Sequence, residues 1–344
     1  MSVKLIRPEL QQITPYSVKR SLTGIRLNAN EAPWDDGLNR YPDPIGETLL
    51  TELAAIYQVP SSQLMLTRGS DEGIDIIIRL FCRPYLDEVI ICPPTFSMYA
   101  QSAMIQGAKI VEVPLQERLN FAPDFQQIIA KLTHNTKLIF ICSPNNPTGN
   151  LVSATEILKL VAAVKDKAIV VVDEAYIEFT EADSLAKDLS HFDNLIVLRT
   201  LSKAYGLAGL RCGILLAPEP LIPKLQAVMP PYPFSVLTLK TLLTIAKKKI
   251  GLREKITYIK AHKERMQENL STLKGVKKIW RSDANFVLVK FNDATALINH
   301  CEKNGIYLRN LSKEYMLEDC VRITIGLADE NQQLFKVLSE YYAK

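Results

Sequence analysis

The 344-residue sequence lacks the marks of several protein classes. No run approaches the roughly 18 apolar residues of a membrane span, and the opening MSVKLIRPEL carries no apolar signal-peptide core. Charge of one sign is scarcely in surplus: 41 basic against 37 acidic residues leave a formal +4, too slight to argue for nucleic acid. The six cysteines (Cys82, Cys92, Cys142, Cys212, Cys301 and Cys320) form no CxxC pair and no Cys/His cluster at zinc spacing. Several lie in apolar runs, such as Cys142 in LIFIC, where a reduced thiol behaves as a small hydrophobe. The expectation is a reducing, cytoplasmic setting with no metal centre and no nucleic-acid or membrane partner. Internal repeats and low-complexity segments are also missing. What is there is ordinary: 47% hydrophobic and 23% charged residues exclude a disordered, collagenous or coiled-coil chain. The length suggests about two domains and a core large enough to need no staples.

Between about residues 60 and 220, short apolar runs rich in β-branched residues alternate with helix-like stretches. The runs are VIIC (89–92), KIVEV (109–113), LIFIC (138–142), AIVVV (168–172), LIVLR (195–199) and GILLA (213–217). Near-continuous apolar strands suit a sheet buried on both faces. Segments from Asp71 to Cys82, Ser97 to Gln106 and Ala154 to Val164 have helical spacing. An α/β fold with a mostly parallel sheet between helices follows. The texture changes at Pro230-Pro231-Tyr232-Pro233, a non-helical break. One long helix is expected over about 236–273, with Lys247, Lys248, Lys249, Arg253, Lys255 and Lys260 on it as a solvated face. Beyond it VKKIW, NFVLVKF and CVRITIG read as strands of a second, α+β unit. The division expected is 1–35, an N-terminal arm associated with the small domain; 36–235, a large α/β domain; and 236–344, a small C-terminal domain.

Four pieces carry chemistry. In Leu198 to Arg211, LRTLSKAYGLAGLR, Lys203 follows a strand end in a segment of small and hydroxyl residues. It reads either as a structural lysine or, from its spacing to Ser202 and Arg211, as a reactive amine beside a bound phosphate. Asp173 and Glu174 close an apolar strand, at the edge where open α/β sheets bind ligands. A helix cap is the plainer reading. Ser143 to Gly149, SPNNPTG, is a turn by composition that could also present Asn146 to a ligand. Gly69 and Ser70 open a helix with free backbone N–H groups, a common arrangement that also suits an anion.

In this order the four pieces resemble the fold-type I, pyridoxal-phosphate-dependent aminotransferases of the class II subfamily. Among them the sequence is most similar to the histidinol-phosphate aminotransferases. LNANE (27–31), RYPDP (40–44), PPTFSMY (93–99), DEAYIEF (173–179), TLSKAYGLAGLRCG (200–213) and VRITIG (321–326) carry the likeness over essentially the whole chain. The resemblance implies a large domain with a seven-stranded, mostly parallel sheet, and pyridoxal 5'-phosphate as cofactor. It implies amino transfer between L-histidinol phosphate and 2-oxoglutarate, giving imidazole-acetol phosphate and L-glutamate. Threonine-phosphate decarboxylase and aromatic amino acid aminotransferase are the alternatives within the same fold. A regulator that senses the cofactor would need a DNA-binding module, and the N-terminal segment carries no helix-turn-helix pattern.

The resemblance also implies roles residue by residue. Lys203 binds the cofactor aldehyde and shuttles a proton. Asp173 pairs with the pyridine nitrogen, Tyr176 and Asn146 with the ring oxygen, and Phe96 stacks on the ring. Ser70, Asp71, Ser202 and Arg211 surround the phosphate, which Tyr41 reaches from the neighbouring subunit of a homodimer. Arg322 and Arg309 take substrate carboxylate or phosphate, with Tyr16 and Asn30 nearby.

Overall fold

A computed structural model describes residues 2–16, 24–35, 37–248 and 252–343. The larger unit holds strands β1 (Leu64–Thr67), β2 (Glu88–Ile91), β3 (Lys109–Glu112), β4 (Thr136–Cys142), β5 (Ile169–Asp173), β6 (Leu195–Thr200) and β7 (Gly213–Leu216). They form one sheet in the order β1-β7-β6-β5-β4-β2-β3. β7 runs against its neighbours β1 and β6; the other pairings are parallel.

Side chains alternate between the faces of a strand, so each apolar run feeds two layers at once. Ile139 and Ile141 of β4 enter one core, with Val170 and Val172 of β5. Leu138, Phe140, Ile169 and Val171 enter the other. Helices α1 (Glu47–Tyr57), α4 (Phe125–Ala130) and α5 (Ala154–Ala163) cover the first face. Helices α2 (Ser70–Phe81), α3 (Met98–Gln106) and α6 (Ile222–Val228) cover the second. This is the doubly covered sheet the apolar runs require. β1 (LMLT) is the strand that was not among those runs; at four residues it gives too little pattern.

The smaller unit is an antiparallel sheet in the order β10-β11-β9-β8, from β8 (Val276–Ile279), β9 (Phe286–Phe291), β10 (Arg309–Asn310) and β11 (Cys320–Thr324). Its core takes Met266 and Leu270 from α8 (Leu252–Ser271), Leu297 and Cys301 from α9 (Ala294–Lys303), and Leu334 and Leu338 from α10 (Ala328–Tyr342). Where the units meet, Tyr176 packs edge-on against Phe286, ring centroids 5.3 Å apart.

Two expectations are corrected. Over 236–273 the structure describes α7 (Val236–Lys248) and α8, with 249–251, Lys249 among them, outside the described residues. α7 belongs by packing to the large unit: it lies along α1, and Leu242 is buried in the sheet's first core. The N-terminal segment also lies against the large unit rather than the small one. Ile6 is buried in the second core, the Arg7 N–H donates to the Leu80 carbonyl (3.2 Å), and Lys224 Nζ donates to the Gln11 and Ile13 carbonyls (2.7 and 3.0 Å). Val3, Leu5 and Leu10 pack against the same core. The six cysteines are free thiols and buried. Among the described residues no helix is long and apolar enough to cross a membrane.

Candidate active site

The direction of the strands gathers the four motifs at one edge. β4, β5 and β6 are neighbours and parallel, so the segments after Cys142, Asp173 and Thr200 leave the sheet side by side. β1 runs the same way, which brings the start of α2 to that edge. β7 runs the opposite way, so its first residue, Gly213, and the preceding Arg211 lie there too. Glycine is required at two of these places. A Cβ on Gly213 would stand 2.4 Å from the Gly69 carbonyl carbon and 2.5 Å from the Ser70 nitrogen. Gly69 has φ +81°, and a Cβ there would meet Arg211 Nη2 at 2.6 Å.

The result is a cavity of about 150 Å³ lined by Ser70, Asp71, Phe96, Cys142, Asn146, Asp173, Ala175, Tyr176, Thr200, Ser202, Lys203, Ala208 and Arg211. It adjoins a second, of about 410 Å³, that shares Phe96, Asn146, Tyr176 and Lys203 and adds Arg309, Arg322, Glu314 and Tyr315. Arg309 and Arg322 are paired across β10 and β11, so the smaller sheet presents both guanidinium groups together. Arg322 Nη1 donates to Asn146 Oδ1, and its guanidinium lies 5.3 Å from the Phe286 ring centre.

Asp173 is 3% exposed at the floor. Its Oδ1 accepts the Ala175 N–H (3.0 Å) and its Oδ2 the Tyr99 hydroxyl (2.7 Å). Burial raises its pKa above the usual carboxylate value; the Tyr99 and Ala175 hydrogen bonds and Lys203 oppose the rise. Lys203 Nζ stands 5.6 Å from the Tyr176 ring centre. Burial of the amine by the cavity walls, and then Arg322, push its pKa below the ordinary lysine value, while Asp173 pulls the other way. At the opposite end Arg211 Nη2 and Asp71 Oδ2 are 3.4 Å apart, both partly exposed, beside the first turn of α2. The Asn146 loop is braced by its neighbour: Asn145 accepts from Thr95 Oγ1 (2.8 Å) and donates to the Pro94 carbonyl (2.9 Å).

Three of the expected residues are elsewhere within this chain. Tyr16 and Tyr41 are 69% and 52% exposed and line neither cavity. Tyr41 stacks on Tyr232 at 4.6 Å, and burial, then Tyr16, Glu31 and Tyr41, raise the Tyr232 pKa, so these side chains form a cluster of their own. Asn30 is exposed, with φ +55°, next to Glu31. Tyr99 is the opposite case: buried against the site and not singled out from sequence. The available signal was its place in PPTFSMY, three residues after Phe96 and in the first turn of α3.

The arrangement suits a flat, anion-bearing aldehyde of the pyridoxal phosphate kind. It has an amine at the centre, a buried acid at one end, an aromatic wall, and at the other end a helix start with an arginine. The comparisons with known proteins agree. The model of the family "aminotransferase class I and II" matches residues 16–338. A histidinol-phosphate aminotransferase of Francisella philomiragia is 39% identical over 99% of this chain and 97% of its own. A second, from Idiomarina loihiensis, is 41% identical over 99% of both. In fold, the crystal structure of the histidinol-phosphate aminotransferase from Clostridium acetobutylicum superposes with a TM-score of 0.81 at 23% identity, covering 89% of this chain and 91% of that one. With its amine, acid, aromatic wall and anion end in place, the chain belongs to the class I and II aminotransferase family.

Proposed function

We propose that this chain transfers the amino group of L-histidinol phosphate to 2-oxoglutarate, reversibly, giving imidazole-acetol phosphate and L-glutamate as a cytoplasmic step of histidine synthesis. The observation that carries the reading is the meeting of Lys203, Asp173, Tyr176, Asn146 and Arg211 on one cavity that opens onto Arg309 and Arg322. The relatives at about 40% identity carry that substrate in their names.

When bound, pyridoxal phosphate supplies an aldehyde that exchanges amines and a ring that draws electrons from the adjoining carbon. The chain's own side chains do the rest. Lys203 Nζ would be the attachment point and, once displaced, would take up and redeliver the proton of the nitrogen-bearing carbon. Its depressed pKa favours the neutral amine this requires. Asp173, ionised, would hold a proton on the ring nitrogen; Tyr176 and Asn146 would hydrogen-bond the ring oxygen, and Phe96 would cover the ring face. Ser70, Asp71, Ser202 and Arg211 would hold the phosphate. Arg322 and Arg309 fix the anionic ends of the two substrates, with Tyr16 and Asn30 near the substrate. We assign Tyr41 to the phosphate of a neighbouring copy in a homodimer, a role supported by its exposure and its absence from the lining of this chain's own cavity. The domain division proposed is an arm over 1–35, a large domain over 36–235 and a small one over 236–344, with α7 leaning on the large domain.

The test is a single half-reaction. Protein loaded with pyridoxal phosphate and freed of excess is given L-histidinol phosphate while the visible spectrum is followed. Conversion to the pyridoxamine form with imidazole-acetol phosphate supports the proposal. An unchanged spectrum rejects this substrate, and carbon dioxide release from O-phosphothreonine would establish the decarboxylase in its place.

A further inference from the structure

Asp173 does not stand alone in the floor of the cavity. Tyr99, fully buried on α3, lies flat on Phe140 of β4 (ring centroids 4.8 Å, 15° between planes) and edge-on to Phe96 (5.7 Å, 84°). This packing fixes the ring, and its hydroxyl donates to Asp173 Oδ2 at 2.7 Å. Oδ1 is held by the Ala175 amide at 3.0 Å. Both carboxylate oxygens are thus engaged by donors that no water has to supply, and the carboxyl plane is set by one backbone and one aromatic contact. The same ring touches Phe96, the aromatic wall of the cavity, so one side chain positions the acid and its neighbouring wall together.

We propose that Tyr99 is a positioning residue for Asp173: its hydroxyl orients the buried carboxyl group and keeps it ionised, and so keeps a proton on the nitrogen of a bound pyridine ring. The charged and titratable groups facing Asp173 are Asp71 from α2, Tyr99 from α3, Cys142 from β4, Tyr176 from the loop after β5 and Lys203 from the loop after β6. Of these, Tyr99 gives the carboxylate a direct hydrogen bond and Lys203 a favourable charge, while Asp71 acts against its ionisation. Tyr99 can serve as donor throughout, because burial, then Asp173 and Cys142, push its own pKa far above the tyrosine range. A hydrogen bond to a charged group in a dry site is strong enough to decide whether that group stays ionised.

The proposal rests on the cofactor reading above and is tested on the loaded holoenzyme by a property other than turnover. Pyridoxal phosphate labelled with nitrogen-15 in the ring reports by NMR whether the ring nitrogen carries a proton. Wild-type protein is expected to show the protonated shift. Tyr99→Phe, which keeps the stacked ring and removes only the hydroxyl, is expected to move it toward the unprotonated value and to weaken cofactor binding about tenfold or more. Tyr99→His, which restores an N–H donor, is expected to recover part of the protonated shift; if the Phe variant does not fold, this variant is compared with wild type directly. A Phe variant with the wild-type shift overturns the role of Tyr99, as does a folded His variant that shows the unprotonated shift. Failure of wild-type protein to bind the cofactor at all would instead overturn the reading on which the inference rests.

Discussion

The carboxyl edge of the large sheet and the segment from Arg26 to Tyr41 carry candidate site residues in opposite ways. At the sheet edge, each residue follows a buried strand whose direction and neighbours are set by the core, so Asn146, Asp173 and Lys203 arrive at one cavity within a single chain. The described residues of the other segment form no strand or helix. Its order comes from one acid: Glu31 accepts from Arg26 (3.1 Å), Arg40 (2.8 Å) and the Tyr41 amide (2.7 Å). Tyr41, beside that cluster, stacks on Tyr232 and does not line the chain's own cavity. A core delivers its site inward, whereas a polar cluster on the surface can present a side chain to another copy.

The largest effect should come from the centre of the sheet edge. Lys203→Ala should lose turnover by several orders of magnitude, since the amine is both attachment point and proton carrier. The cofactor should still bind noncovalently, because the acid, the aromatic wall and the anion end are untouched. Substantial transamination by this variant would sink the site assignment. Gly213→Ala strikes the same edge through the backbone. The added methyl would collide with the Gly69–Ser70 peptide, so the turn that opens α2 must shift. The expected cost is about 1–3 kcal/mol of stability, with a matching fall in cofactor affinity while the Glu31 cluster stays intact. Equilibrium unfolding and cofactor titration measure the two losses, and unchanged values in both would show that the anion end tolerates displacement.

The uneven legibility of the sequence has the same origin. Strands such as LIFIC and AIVVV stand out because both faces are buried, and the loops at their ends inherit that clarity. β1 is too short to show a pattern, and β10 is a two-residue edge pairing that only its register with Arg322 reveals. Tyr99 was hidden for a different reason: an aromatic on a helix face reads as core, and its hydroxyl partner lies 74 residues away. The N-terminal arm was misplaced because a few apolar residues around Ile6 and a few carbonyls give no hint of which unit will satisfy them.

A smaller effect is expected from the surface cluster. Tyr41→Phe should retain cofactor about tenfold less well, the loss of one hydrogen bond to a charged group. Mixed with Lys203→Ala subunits, it should recover part of the activity, because one site of each mixed pair then has an intact Lys203 and a donated Tyr41. No recovery in verified mixed dimers would break the contrast between inward and outward delivery.

The finest test concerns the proton on Lys203. Covalent uptake of pyridoxal phosphate needs the neutral amine, so its rate should rise with pH and level off above the amine's pKa. Burial and Arg322 lower that pKa, so the midpoint should lie below the roughly 10.4 of an exposed lysine. The sign then fixes the response to substitution. Arg322→Met removes a cation that disfavours the ammonium form, so the midpoint should move up. Asp173→Asn removes an anion that favours it, so the midpoint should move down. Arg40→Met, in the surface cluster, should leave it where it is, since Arg40 acts on Glu31 and not on the amine. A midpoint that ignored Arg322 but followed Arg40 would mean that the two regions are coupled within one chain, and the division between them would have to be abandoned.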